Sequence, residues 1–181
     1  MGAMDKFSAV IATIRPDEPT PLERPGGVVL HHSGTRKDAP LQAIRSYHMA
    51  PRPEGKGWTE LGYHWYLSLV GESWVAQAGR PENRRGAHAP GRNSWIGVCV
   101  AGDYHPRSDN PGDEPSPEMI DVLVNKLVDI CRRHRISPAL IRPHSDTGCE
   151  GGGPTDCPGH NLEAVLPEIR EQVSILLGRK D

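Results

Sequence analysis

The chain contains one Phe in 181 residues and no stretch near the roughly 18 consecutive apolar residues a membrane span needs, so membrane insertion is not expected. Charge of either sign is not in excess. The 21 Lys and Arg against 23 Asp and Glu leave a formal net charge of -2. With no block of like charge there is no electrostatic footprint for nucleic acid. No internal repeat and no second domain is visible, and the length suits one domain with a sizeable core. Cysteine is sparse: Cys99, Cys131, Cys149 and Cys157 lack the spacing of a small secreted disulfide scaffold. The start, Met1 to Lys6, lacks the basic, apolar and small-residue order of a secretory signal. A second Met at position 4 makes residues 1–3 a candidate cloning remnant.

What is abundant points to loops. Eighteen Pro and twenty Gly suit a loop-rich domain rather than a bundle or coiled coil. All four Trp and all four Tyr fall between Tyr47 and Tyr104, which fits either a cleft wall or core aromatics beside strands. Residues 1–24 show no period and read as a lead-in to a domain over 25–181. Val28–His32 is a short apolar run after Gly26-Gly27, a buried strand. Asp38 is placed to cap a helix over about 40–50, and Leu61 to Val70, Gly71-Glu72-Ser73 and Trp74 to Gln77 read as a β-hairpin. A polar loop over 78–93 precedes a central strand, Ile96 to Ala101, and an acidic, Pro-rich surface loop over 103–116. Ser116-Pro117-Glu118 opens a helix to about 133, because Pro is tolerated at the first helical position and apolar residues recur at 3.6 spacing from Ile120 to Cys131. Cys99, inside the strand run, and Cys131, on that apolar face, are expected as buried thiols. Leu140-Ile141 is a last short strand, and Leu166, Ile169, Val173 and Leu176 mark a final helix. The order predicts a single-domain α/β fold: a mixed central β-sheet flanked by helices.

Three places offer metal ligands at the ends of these elements. His31 closes the first strand, His144 follows the last, and Cys157 precedes the final helix. Two imidazoles and a thiolate would hold zinc and leave a fourth position for water, as catalytic sites do. Spacing alone is weak grounds, since nine His and four Cys offer many such triples. Nor do the residues decide between His31 and His32, which as strand neighbours face opposite sides.

Several segments together carry a resemblance. Val29 to Thr35 (VLHHSGT), Leu61 to Trp65 (LGYHW), Gly86-Ala87-His88, Asn93-Ser94 with Ile96-Gly97-Val98, and Thr155-Asp156-Cys157-Pro158-Gly159 stand in order. They resemble the motifs of the type 2 N-acetylmuramoyl-L-alanine amidases, a family of small phage amidases and animal peptidoglycan recognition proteins. The resemblance spans about Val28 to Gly159. It implies a zinc site in a surface cleft, with one zinc ion per chain held by His31, His144 and Cys157, and it disfavours Cys149 as a ligand. Cys149 is then a surface thiol, half of a disulfide, or a rim residue over the metal. The small phage enzymes carry a Lys where this chain has Thr155, as the recognition-protein branch does. Thr155 brings a hydrogen bond but no charge, so stabilising an oxyanion falls more on zinc and Tyr63.

The implied reaction is hydrolysis of the amide joining the muramic-acid lactyl group to L-alanine of the peptidoglycan stem. Zinc lowers the pKa of water from 15.7 toward roughly 7 and polarises the carbonyl. Tyr63 donates to the oxyanion or helps move the water proton, and Thr155 orients water or substrate. His64 points away from Tyr63 on a regular strand. Trp58, Arg80, His88 and Asn93 are candidates for gripping sugar and stem peptide, although Asn93 reads equally as a turn former and Arg80 as part of a surface ion pair. A recognition module that binds without cutting, a cytosolic amidase recycling anhydro-muropeptides, and a structural zinc protein are the alternatives. By analogy with phage endolysins, the chain is expected as a monomer acting on peptidoglycan. It would be cytoplasmic until released to the cell wall, or secreted if a leader precedes it.

Overall fold

The computed structural model describes residues 20–146 and 154–178. Cys149 and most of the lead-in lie outside them. In chain order the elements are β1 (Val28–His32), α1 (Leu41–Met49), β2 (Trp65–Val70), β3 (Ser73–Ala78), β4 (Ile96–Val100), α2 (Pro117–His134), β5 (Ile141–Pro143), α3 (His160–Ala164) and α4 (Leu166–Gly178). Single 3-10 turns, Pro138–Leu140 and His144–Asp146, flank β5. The five strands form one mixed sheet in the order β3-β2-β4-β1-β5. Only the β2–β3 hairpin is antiparallel; β1 pairs in parallel with β4 and β5, and β2 with β4. This is the α/β architecture expected from the sequence.

The three strands in the middle are apolar because both of their faces are covered. Val28, Leu30, Ile96, Val98 and Val100 are fully buried in one cluster with Leu123, Leu127, Ile169 and Val173 of α2 and α4. α1 lies over the other face, where the Tyr66 hydroxyl donates to the Ala39 carbonyl at 2.9 Å. Residues 20–24 are pinned to the loop before β4: Leu22 N–H donates to Asn83 O and Arg85 N–H to Thr20 O. Cys99 and Cys131 are buried thiols.

Three local readings change. The N-cap of α1 is Pro40 and makes no side-chain hydrogen bond. Asp38 instead pairs with Arg36 on the surface, both well exposed. The first hairpin strand begins at Trp65 rather than Leu61, because the carbonyls just before it bond to the loop after β3: Ala87 N–H donates to Gly62 O and Arg80 N–H to Tyr63 O. A five-residue helix, α3, precedes α4 and has no apolar period of its own to announce it.

His64 fastens the loop over 79–93 to β4. Its Nε2–H donates to the Arg84 carbonyl at 2.8 Å, and its Nδ1 accepts from Gly97 N–H at 2.8 Å. Those two bonds require the neutral ring. Burial holds its pKa down to about 4, against a smaller upward pull from the Arg84 bond.

Ser116 Oγ accepts from Met119 N–H and so caps α2. Ser116→Ala should therefore cost about 1 kcal/mol in urea denaturation. Asp38→Ala should cost at most a few tenths, because an exposed pair contributes little. For His64 the folded pKa lies below the unfolded one. Its contribution is intact above pH 6.5 and is lost progressively as pH falls toward 4, amounting to about 3 kcal/mol. Stability measured from pH 7 to 4 should fall less steeply in His64→Gln, although that variant starts lower at pH 7.

Candidate metal centre

β1 ends in the middle of the sheet, and strand alternation sends His31 and His32 to opposite faces. His31 is 1 % exposed and stands in register with Cys99 of β4. His32 belongs to the other side, where its Nδ1 accepts from Tyr104 N–H at 3.1 Å and lies 3.7 Å from the Asp103 carboxylate. β5 runs parallel to β1, so the turn that follows it delivers His144 to the same end of the sheet. Ser145 N–H donates to the Cys157 carbonyl at 2.7 Å and joins this turn to the loop before α3. Gly159, at φ 87°, packs against the Tyr104 backbone too closely for a Cβ, which fixes glycine there and brings Cys157 inward.

The donor atoms of His31, His144 and Cys157 all lie within 4.8 Å of one another, a group that can hold a metal ion. Cys157 Sγ is 3.5 Å from His31 Nδ1, and the rings of His31 and His144 are 4.5 Å apart between centroids. Burial pushes the pKa of both histidines down, and for His31 the neighbouring imidazoles push further. Both are thus in the neutral form that binds metals.

The Tyr63 ring lies 5.1 Å from that of His31 and 5.4 Å from that of His48. Burial, reinforced by the sulfurs of Cys99 and Cys157, raises its pKa well above the ordinary phenol value, so at neutral pH it is a hydrogen-bond donor. Thr155 Oγ1 accepts from Cys157 N–H at 3.2 Å, which fixes the hydroxyl against the backbone of the ligand loop. A cavity of about 430 Å³ opens between α1 (Ala43, Ile44, Tyr47) and Tyr63. A larger one, about 670 Å³, is lined by Arg36, Lys37, Asp103 and Asp113 and shares no residue with the donor cluster. Its size therefore does not make it the site.

Of the four residues expected to grip substrate, Trp58, His88 and Asn93 come together around a cavity of about 140 Å³. Their polar atoms are largely used internally. Asn93 Oδ1 accepts from His88 N–H and Ala89 N–H, the work of a turn former. His88 is buried, with Nδ1 3.0 Å from His31 Nε2 and Nε2 3.0 Å from the Trp95 carbonyl. Arg80 is neither in the cleft nor on the surface: its side chain is fully buried, donating to Leu61 O at 2.8 Å and Arg85 O at 2.6 Å beside Glu60. Its two carbonyl partners come from different loops, and a guanidinium supplies several donors in one plane to reach both. No sequence motif marks His48 as a site residue, yet it packs between Tyr63 and Trp58 and accepts from Gly62 N–H at 3.1 Å. Its place on the inner face of α1, one turn after Ile44, was the available signal.

Solved structures of known proteins share this fold. LysC, an N-acetylmuramoyl-L-alanine amidase from Clostridium intestinale, is 26% identical, with 86% of this chain and 91% of that one covered at a TM-score of 0.66. The endolysin amidase LysCS from the same organism is also 26% identical, covering 83% and 84% at 0.64. Drosophila PGRP-LB is 26% identical, covering 82% and 84% at 0.63. No curated protein sequence matches the chain. Residues 21–160 match the N-acetylmuramoyl-L-alanine amidase family and take in every member of the donor cluster, so the chain belongs to that family.

Proposed function

We propose that the protein is a zinc-dependent N-acetylmuramoyl-L-alanine amidase, with one zinc ion per chain. It would hydrolyse the amide between the muramic-acid lactyl group and L-alanine of the peptidoglycan stem. The observation that carries this reading is the donor set. Tetrahedral zinc at ordinary bond lengths separates a sulfur from a nitrogen ligand by about 3.6 Å. Cys157 Sγ and His31 Nδ1 are 3.5 Å apart, with His144 in the same group. Three protein ligands are the complement of catalytic rather than structural zinc. The chemistry a bound zinc ion supplies is Lewis acidity, which polarises a carbonyl and acidifies water.

The protein's own residues supply the rest. Tyr63 stays protonated and donates to the carbonyl oxygen as it becomes an oxyanion. Thr155, oriented by Cys157 N–H, offers a neutral hydroxyl to water or substrate. The cavity beside α1 adjoins Tyr63 and gives the substrate an approach. Similarity to the endolysin amidase LysCS supports a role in bacterial lysis.

Purified protein should carry about one zinc, lost with activity on chelation and restored by zinc. Cys157→Ser should weaken metal retention while Cys149→Ser leaves it nearly intact; the reverse would overturn the ligand assignment. Digested sacculi should release stem peptides beginning with L-alanine. New reducing sugar ends would indicate a glycosidase, and zinc-free protein that binds sacculi without cutting them would indicate a recognition module. Tyr63→Phe should keep its zinc while turnover falls by roughly 10²–10³, the usual cost of one oxyanion donor. Full turnover in that variant would remove Tyr63 from the mechanism.

A further inference from the structure

We infer that His88 is a positioning residue: it fixes His31 in the single tautomer that turns a bare Nδ1 toward Cys157 and His144. The Trp95 carbonyl can only accept, so the 3.0 Å contact to His88 Nε2 places a hydrogen on that nitrogen. His88 and His31 are 8 % and 1 % exposed, and burial keeps both rings neutral. A neutral ring carrying its hydrogen on Nε2 has a lone pair on Nδ1. The 3.0 Å contact between His88 Nδ1 and His31 Nε2 then requires the hydrogen to belong to His31. Hence His31 Nδ1, 3.5 Å from Cys157 Sγ, carries the lone pair. Were His88 turned the other way, the His31 proton would sit on Nδ1 and face the place a metal must take.

The packing around His88 is independent of that reasoning and agrees with it. A Cβ on Gly97 would come within 2.5 Å of the His88 ring, so the missing side chain is what lets the ring lie on β4 beside His31. The Asn93 side chain holds the His88 backbone through its N–H at 2.8 Å. The ring is therefore held from its main chain, from the sheet below it and from its outer nitrogen, and its remaining polar atom is aimed at His31. In metal centres such outer partners set ring orientation and commonly change affinity by about ten- to a hundredfold.

The inference rests on the zinc reading above in its metal arm only, because the tautomer can be read without metal. Imidazole ¹⁵N spectra of the metal-free wild-type protein should show His31 and His88 both as Nε2–H tautomers. A hydrogen on His31 Nδ1 would overturn the proposal whatever the metal does. The metal arm compares two replacements by chelator competition. In His88→Asn the Oδ1 sits at the same bond separation from Cβ as Nδ1 and can still accept from His31, whereas His88→Phe keeps a ring but no acceptor. Both lose the donor to Trp95 O, so both should melt lower. Zinc affinity should fall about ten- to a hundredfold in the Phe variant and stay near wild type in the Asn variant. Equal affinity losses would make His88 merely structural. If His88→Phe does not fold, the wild-type spectrum decides alone. Wild-type protein that takes up no zinc yet shows the expected tautomers would overturn the zinc reading and leave the positioning of His31 standing.

Discussion

His31 is almost wholly buried, so neither of its ring nitrogens can be left to water, and the fold is arranged around answering both. The parallel pairing of β1 with β4 is what makes this possible. It sets His31 level with Cys99 and puts Gly97 and Trp95 two and four positions further back along the neighbouring segment. From there the Trp95 carbonyl and the bare surface of Gly97 receive His88, and His88 meets one nitrogen of His31. The second parallel pairing, β1 with β5, brings the His144 turn, and the Ser145–Cys157 backbone bond brings the sulfur to the other nitrogen. Three segments far apart in sequence converge because one central strand has a parallel neighbour on each side.

The same burial sets the charge state of the whole region. His31, His88, His144, His48 and His64 all have depressed pKa values, with loss of hydration as the first cause in each. Tyr63 and Cys99 are pushed upward for the same reason. These seven groups, charged in other settings, are neutral at pH 7. Keeping water from these groups strengthens any interaction with charge that enters among them, whether a cation among the donors or, in the proposed mechanism, an oxyanion beside Tyr63.

The sequence made the skeleton legible because most elements obey one strong local rule. β1 and β4 are continuous apolar runs bounded by glycine or polar residues, and α2 has a Ser-Pro start and an unbroken 3.6 period. The donor set was legible only through the order of several motifs, since the ligands span residues 31 to 157. What could not be read was tertiary. Asp38 has the chemistry of a cap, but its carboxylate turns to Arg36 instead. Arg80 and His88 are polar types usually assigned to surfaces, and nothing local announces that backbone carbonyls and a second imidazole wait for them inside. Asn93 carried both meanings at once, and its geometry is that of the turn former.

Arg80 shows how such a residue still bears on chemistry. Tyr63 sits outside the regular strand, where a loose segment would let the phenol drift and the donor of the proposed mechanism would lose most of its value. The surrounding backbone prevents this. Gly62 N–H donates to His48 Nδ1, Ala87 N–H donates to Gly62 O, and Arg80 N–H donates to the carbonyl of Tyr63 itself. The Arg80 guanidinium closes the arrangement by bonding Leu61 O and Arg85 O, with the Glu60 carboxylate 3.5 Å away to offset its buried charge. A cation that never meets the cleft thereby ties the segment that carries Tyr63 to the loop over 79–93. A group held this firmly has little reorganisation left to undergo when charge develops beside it, which is the condition under which a neutral donor can do much of the work of a charged one.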